Sequence, residues 1–121
     1  MTRPILTESH IHPAIRDRVG QQHIAVVQEV QTALASNAVV IVGMAQNPFP
    51  RKAKKMLDEA GVVYKYLEYG SYLGQWRERN AVKLWTGWPT FPQIFVKGSL
   101  VGGADDLQKL IDSGELKKLL A

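Results

Sequence analysis

The stretch Trp88-Pro89-Thr90-Phe91-Pro92-Gln93-Ile94-Phe95-Val96-Lys97-Gly98-Ser99-Leu100-Val101-Gly102-Gly103-Ala104-Asp105 carries most of the fold information. Its middle holds two short apolar runs, 93–96 and 99–101, split by Lys97-Gly98. That pattern predicts a β-hairpin with a tight turn. Gly102-Gly103 then gives way to Ala104-Asp105-Asp106 ahead of Leu107, Leu110 and Ile111. Acidic residues in a first turn offset the helix macrodipole, so a helix is predicted to start at Ala104. Gly114 separates it from a last short helix with Leu116, Leu119 and Leu120.

Upstream, the periodicity alternates between helix and strand. Ile24, Val27, Val30 and Leu34 recur at three- and four-residue steps and predict an amphipathic helix over 21–35, stopped by Ser36-Asn37. The continuous apolar run 38–43 suits a strand buried on both faces. Asn47 is a good N-cap and Pro48 falls at a first helical position. The helix they introduce has a stripe of Phe49, Ala53, Met56, Leu57 and Ala60 and a plausible stop at Gly61. Residues 62–67 read as a second strand, which completes a parallel βαβ unit. A third helix is expected over 72–85, around Leu73, Trp76, Val82 and Trp85, broken by Gly87-Trp88-Pro89. Residues 1–20 are polar and read as an N-terminal extension, with a short helix from Pro13 through Arg18 ended by Gly20. Residues 21–121 form one domain.

Composition limits the chemistry. The chain has 121 residues, 45% of them hydrophobic and 21% charged, which suits one globular domain and excludes disorder. No apolar run approaches the ~20 residues of a membrane span, and the first residues lack the pattern of a secretory signal, so a cytoplasmic protein without membrane attachment is expected. Zero cysteines exclude disulfides, thiolate nucleophiles and thiolate-built metal or cluster sites within this chain. The net charge is +4, with the basic surplus between Arg51 and Lys83. This reads as a solvated face or as a field favouring anionic partners; no nucleic-acid-binding motif is evident.

The string 88–105, with the element order around it, resembles the C-terminal half of monothiol glutaredoxins, and the similarity covers about residues 24–120. The resemblance implies an α/β architecture, the thioredoxin fold of glutaredoxin type, with a mixed four-stranded sheet flanked by helices. It also implies a glutathione-binding edge. Pro92 would be the family's cis-proline, and it leaves the backbone of Phe91, after Thr90, free to pair with glutathione or another extended peptide. Gly103, Ala104 and Asp105 would hold the γ-glutamyl end of glutathione, with backbone N–H groups on the carboxylate and the aspartate on the amine. Arg79 would meet the glycyl carboxylate. The same residues also admit simpler readings: Pro89 and Pro92 shape a turn, Asp105 caps a helix, and Arg79 is an exposed helix arginine beside Glu78. Where the family has a lysine after its first strand, Val42 to Met44 offer no cation, which predicts weaker glutathione binding.

The active-site turn departs further. Glutaredoxins carry Cys-Pro-Tyr-Cys or Cys-Gly-Phe-Ser there, and this chain has Asn47, Pro48, Phe49 and Pro50. Disulfide exchange needs a thiolate, and an amide cannot replace it. Cluster binding of the monothiol type lacks its protein ligand, so no iron–sulfur cluster is expected. No catalytic residue is assigned.

Three functions follow as expectations. One is a redox-inactive glutathione- or peptide-binding module. Another is a glutathione-dependent thiol–disulfide oxidoreductase serving redox homeostasis with a partner's thiol. The third is an interaction protein using the aromatics Tyr64, Tyr66, Tyr69, Tyr72, Trp76, Trp85 and Trp88, most of which are expected to pack in the core. His10 and His12 lack a third ligand nearby, and His23 reads as a surface residue, so no metal site is expected.

Overall fold

The computed structural model describes residues 3–21 and 23–121. A 3₁₀ turn at Glu8–His10 precedes α1 (Pro13–Gln21), α2 (Ile24–Ser36), β1 (Val39–Gly43), α3 (Pro48–Glu59) and β2 (Lys65–Glu68). Then come α4 (Trp76–Thr86), β3 (Gln93–Val96), β4 (Ser99–Gly102), α5 (Ala104–Asp112) and α6 (Glu115–Leu120). The four strands form one mixed sheet in the order β2-β1-β3-β4. β1 runs parallel to β2 and antiparallel to β3, and β3 pairs antiparallel with β4. The expected α/β architecture is therefore the one observed.

Both sheet faces are covered. Val39, Ile41, Ile94 and Val96 pack with Ala53, Met56 and Leu57 of α3, Leu107 of α5 and Leu116 of α6. The alternate residues Val40, Val42 and Phe95 pack with Val30 and Ala33 of α2, Val82 of α4, and Met44, Tyr69 and Phe91 from the loops. Alternation of side chains along each strand thus splits the apolar run of β1 between two cores. The hairpin turn has positive φ at both Lys97 (48°) and Gly98 (82°), as a two-residue loop matched to strand twist requires.

Several element bounds differ from the sequence-based expectation. α1 runs through Gly20 to Gln21, and the break falls instead at His23, whose φ is 50°. Helix α2 consequently starts at Ile24 rather than at 21; position 22 and residues 1–2 lie outside the described residues. β2 begins at Lys65, not 62, because Gly61 adopts a φ of 70° and the Val62 N–H donates back to Leu57 O at 2.9 Å, so the chain is still wrapping the end of α3. α4 begins at Trp76, not 72: Ser71 and Gly74 form an isolated bridge instead, which leaves Leu73 92% exposed. In α3, Ala53, Met56 and Leu57 are buried as the stripe predicts, but Phe49 and Ala60 are exposed. Among the described residues, no helix is long and apolar enough to cross a membrane.

Candidate functional site

Three chain segments meet at the ends of the central strands. The first is the turn from β1 into α3. Tyr69 N–H donates to Gly43 O (3.0 Å) and Ala45 N–H to Gly70 O (2.7 Å), so the turn is tied to the loop after β2. Gln46 takes a left-handed φ of 65°, and Asn47 then caps α3 by accepting the Phe49 N–H on Oδ1 at 3.0 Å. Pro48 and Pro50 have no N–H to give. The helix start therefore offers one donor, already used, where an unsubstituted first turn offers three. Phe49 is 51% exposed, whereas Pro50 is buried. Gly43 sits under this turn: a Cβ there would come within 2.9 Å of Pro50 Cβ and of the Tyr66 ring and hydroxyl. Lys54 Nζ lies 4.0 Å over that same ring.

The second segment is 86–93. The Phe91–Pro92 peptide is cis, as the resemblance implies. Asn47 Nδ2 donates across the site to Phe91 O at 3.4 Å, a long bond between this turn and the backbone ahead of the cis-proline. Gln93 holds the loop from within. It is fully buried; its Nε2 donates to Trp88 O (2.9 Å) and its Oε1 lies 2.8 Å from Thr86 Oγ1. Thr86 Oγ1 in turn accepts the Trp88 N–H at 3.1 Å. Gln93 is a functional residue that the sequence pattern alone leaves without a role. Its signal is a polar residue heading an otherwise apolar strand, which must find partners once buried.

The third segment is the start of α5. Gly103 N–H donates to Asp106 Oδ2 at 3.0 Å, so the capping carboxylate is Asp106. Asp105, the candidate for a ligand amine, is exposed beside it, and Ala104 is buried. Pro92 O lies 3.6 Å from where a Gly103 side chain would begin, and Trp88 Nε1 lies 3.8 Å from the same point. That indole nitrogen is buried and has no hydrogen-bond partner among the described residues. Thr90 is exposed, Phe91 is buried, and Lys83 Nζ stands 5.6 Å over the Phe91 ring.

Asn47, Phe91 and Pro92 are therefore brought together, with Gly103 against Pro92. Arg79 is not the exposed helix arginine of the simpler reading. It is only 7% exposed, and its Nη1 donates to Tyr69 O (2.9 Å) and Gly74 O (2.6 Å). It clamps the loop between β2 and α4, and neither Glu78 nor solvent is its partner. Contrary to the expectation from the sequence, the candidate aromatics are not mostly core: Tyr69 is buried, Tyr64, Tyr66 and Trp88 are half-buried, and Tyr72, Trp76 and Trp85 are exposed, because the loop before α4 and this flank of α4 are not covered by the sheet. His10, His12 and His23 are all exposed, and no group of three metal-binding side chains occurs among the described residues.

Burial raises the Tyr66 and Tyr69 hydroxyls well above the ordinary tyrosine value; hydrogen bonds to Glu68 and Glu29, respectively, add to it. Chemically, the site has a backbone edge, a helix start and an exposed carboxylate, and no thiol.

The glutaredoxin family model matches residues 39–101. A glutaredoxin-like protein of Dictyostelium discoideum is 47% identical over 102 residues, covering 84% of this chain and 83% of its own length. Monothiol glutaredoxin-4 of Schizosaccharomyces pombe is 38% identical over 72 residues, covering 60% of this chain but only 28% of that longer protein. Among solved structures, a buckwheat glutaredoxin–glutathione complex is similar with a TM-score of 0.70 at 25% identity, covering 82% of this chain and 90% of that one.

Proposed function

This chain belongs to the glutaredoxin family, and on that premise we propose that it is a redox-inactive member that binds glutathione or another extended peptide. The observation that carries the reading is the pairing of an intact edge with an unreactive turn. Phe91 stands beside Asn47, Pro92 lies against Gly103 at the start of α5, and the sequence contains no cysteine. The similar buckwheat protein is described in complex with glutathione, which supports the choice of ligand.

The residues divide the work as follows. The Phe91 backbone pairs with the ligand's central peptide group. Its carbonyl is shared with Asn47 Nδ2 through a bond long enough at 3.4 Å to be displaced or extended by a ligand N–H. The N–H groups at the start of α5 face the γ-glutamyl carboxylate, and Asp105 takes the amine. Arg79 contributes by fixing the bordering loop, with its guanidinium held by backbone carbonyls. Val42 to Met44 after β1 offer no cation for the glycyl end, so binding is weaker than in a member that supplies one there.

Calorimetry with reduced glutathione, followed by amide chemical shifts, tests this. The expected result is saturable binding with shifts at Phe91 and Asp105, weakened about tenfold or more in Asp105→Asn, the scale of a lost charge-assisted hydrogen bond. The purified chain should also leave a glutathione mixed disulfide unreduced. Absence of heat and of shifts would remove the binding role, and turnover above background would remove the redox-inactive one.

A further inference from the structure

A second feature lies among the helices and shares no residue with the site at the strand ends. Helices α1, α2 and α4 enclose a cleft of about 940 Å³, within the size range of small-molecule sites. Its walls are apolar: Ile15 and Val19 from α1, Val27 from α2, and Trp76, Leu84 and Trp85 from α4. Trp76 is 60% exposed, an unusual placement for the largest side chain unless something covers it. Trp85 is fixed from behind by stacking on Phe95, with ring centroids 6.4 Å apart.

The rim has a definite sign. Arg18 and Arg77 both border the cleft, and neither has a carboxylate partner among the described residues. Arg77 rests over the Trp76 ring at 5.2 Å, so its charge sits at the edge of the apolar wall. The nearby acid Glu78 faces His23 at 3.9 Å. An apolar trough flanked by two uncommitted guanidinium groups complements a molecule with an apolar body and an anionic head.

We propose that this cleft is a binding site for a free monoacyl carboxylate, its chain between Trp76, Leu84 and Val19 and its headgroup on Arg18 and Arg77. The site is independent of the glutathione edge and uses none of its residues.

The test is a titration with dodecanoate below its micellar concentration, read by the indole N–H signals of the three tryptophans. The expected result is a saturable one-to-one shift of Trp76 and Trp85, with Trp88 unmoved. Arg18→Gln combined with Arg77→Gln should weaken the affinity at least tenfold, and so should replacing dodecanoate by dodecanol. Both arginines lie outside the buried core, so the variant is expected to fold; its circular dichroism checks this. No saturable shift, or equal affinity for acid and alcohol, overturns the proposal. So does a doubling of mass in light scattering that abolishes the response, because the cleft is then covered by a second copy.

Discussion

Asn47 combines two tasks in one side chain. Its carboxamide oxygen caps α3 and its nitrogen reaches Phe91 O, so the side chain is a strut between the turn and the neighbouring loop. The backbone adds to this, because Pro50 removes a donor that a thiolate at position 47 would use. Restoring sulfur alone is therefore insufficient. Asn47→Cys should give a thiol that Asn47→Cys with Pro50→Ala surpasses, the added N–H lowering the thiol pKa by about one to two units, the worth of a hydrogen bond to a charged group. Following thiolate absorbance against pH in the two variants checks the difference. At this scale the sequence was partly legible. Asn47 was readable as a cap and Pro92 as the candidate cis-proline. Arg79 was not readable, because its partners are backbone carbonyls of a loop whose path no side-chain pattern encodes. Helical spacing puts Phe49 in the core stripe, yet it is 51% exposed, and its neighbour Pro50 is the first-turn residue that is buried.

The elements that were most legible are those whose signals are local. The hairpin needed only Lys97-Gly98, and β1 needed only its apolar run. The starts of β2 and α4 were displaced because each depends on how the chain leaves its neighbour. Gly61 prolongs the wrap around α3, and the Ser71–Gly74 bridge replaces what would have been a first helical turn. Close packing between elements yields a further expectation. Gly43 lets β1, α3 and β2 converge, and Gly43→Ala would put a methyl 2.9 Å from both Pro50 and Tyr66. Backbone at Pro50 is constrained and Tyr66 is wedged under Lys54, so neither side relaxes freely. A loss of about 1–3 kcal/mol is expected, the range for overpacking, measurable by urea denaturation.

For the molecule as a whole, the two-core arrangement was readable from the alternation of helical and strand periods, whereas the α1–α2–α4 cleft was not. Its existence depends on where the N-terminal segment packs, and 1–20 read only as an extension. Global stability should show one distinctive pH limit. Tyr69 ties its loop to α2 through Glu29, and Tyr66 meets Glu68; both hydroxyls ionise less readily when folded than their ordinary value of 10.0. The stabilisation is complete below about pH 10 and is lost as pH rises toward the folded-state values, because the unfolded chain releases these protons first. Urea midpoints should therefore fall between pH 9 and roughly 11, and Tyr69→Phe should flatten part of that fall.

The sulfur that the chain retains sits in methionines, and Met44 and Met56 are both buried in the two cores. With no thiol to sulfenylate, cross-link or cap, and with these two thioethers shielded, peroxide finds no exposed sulfur among the described residues. A ligand at the Phe91 edge is therefore expected to be governed by its concentration and not by the oxidation state of a cysteine in this chain.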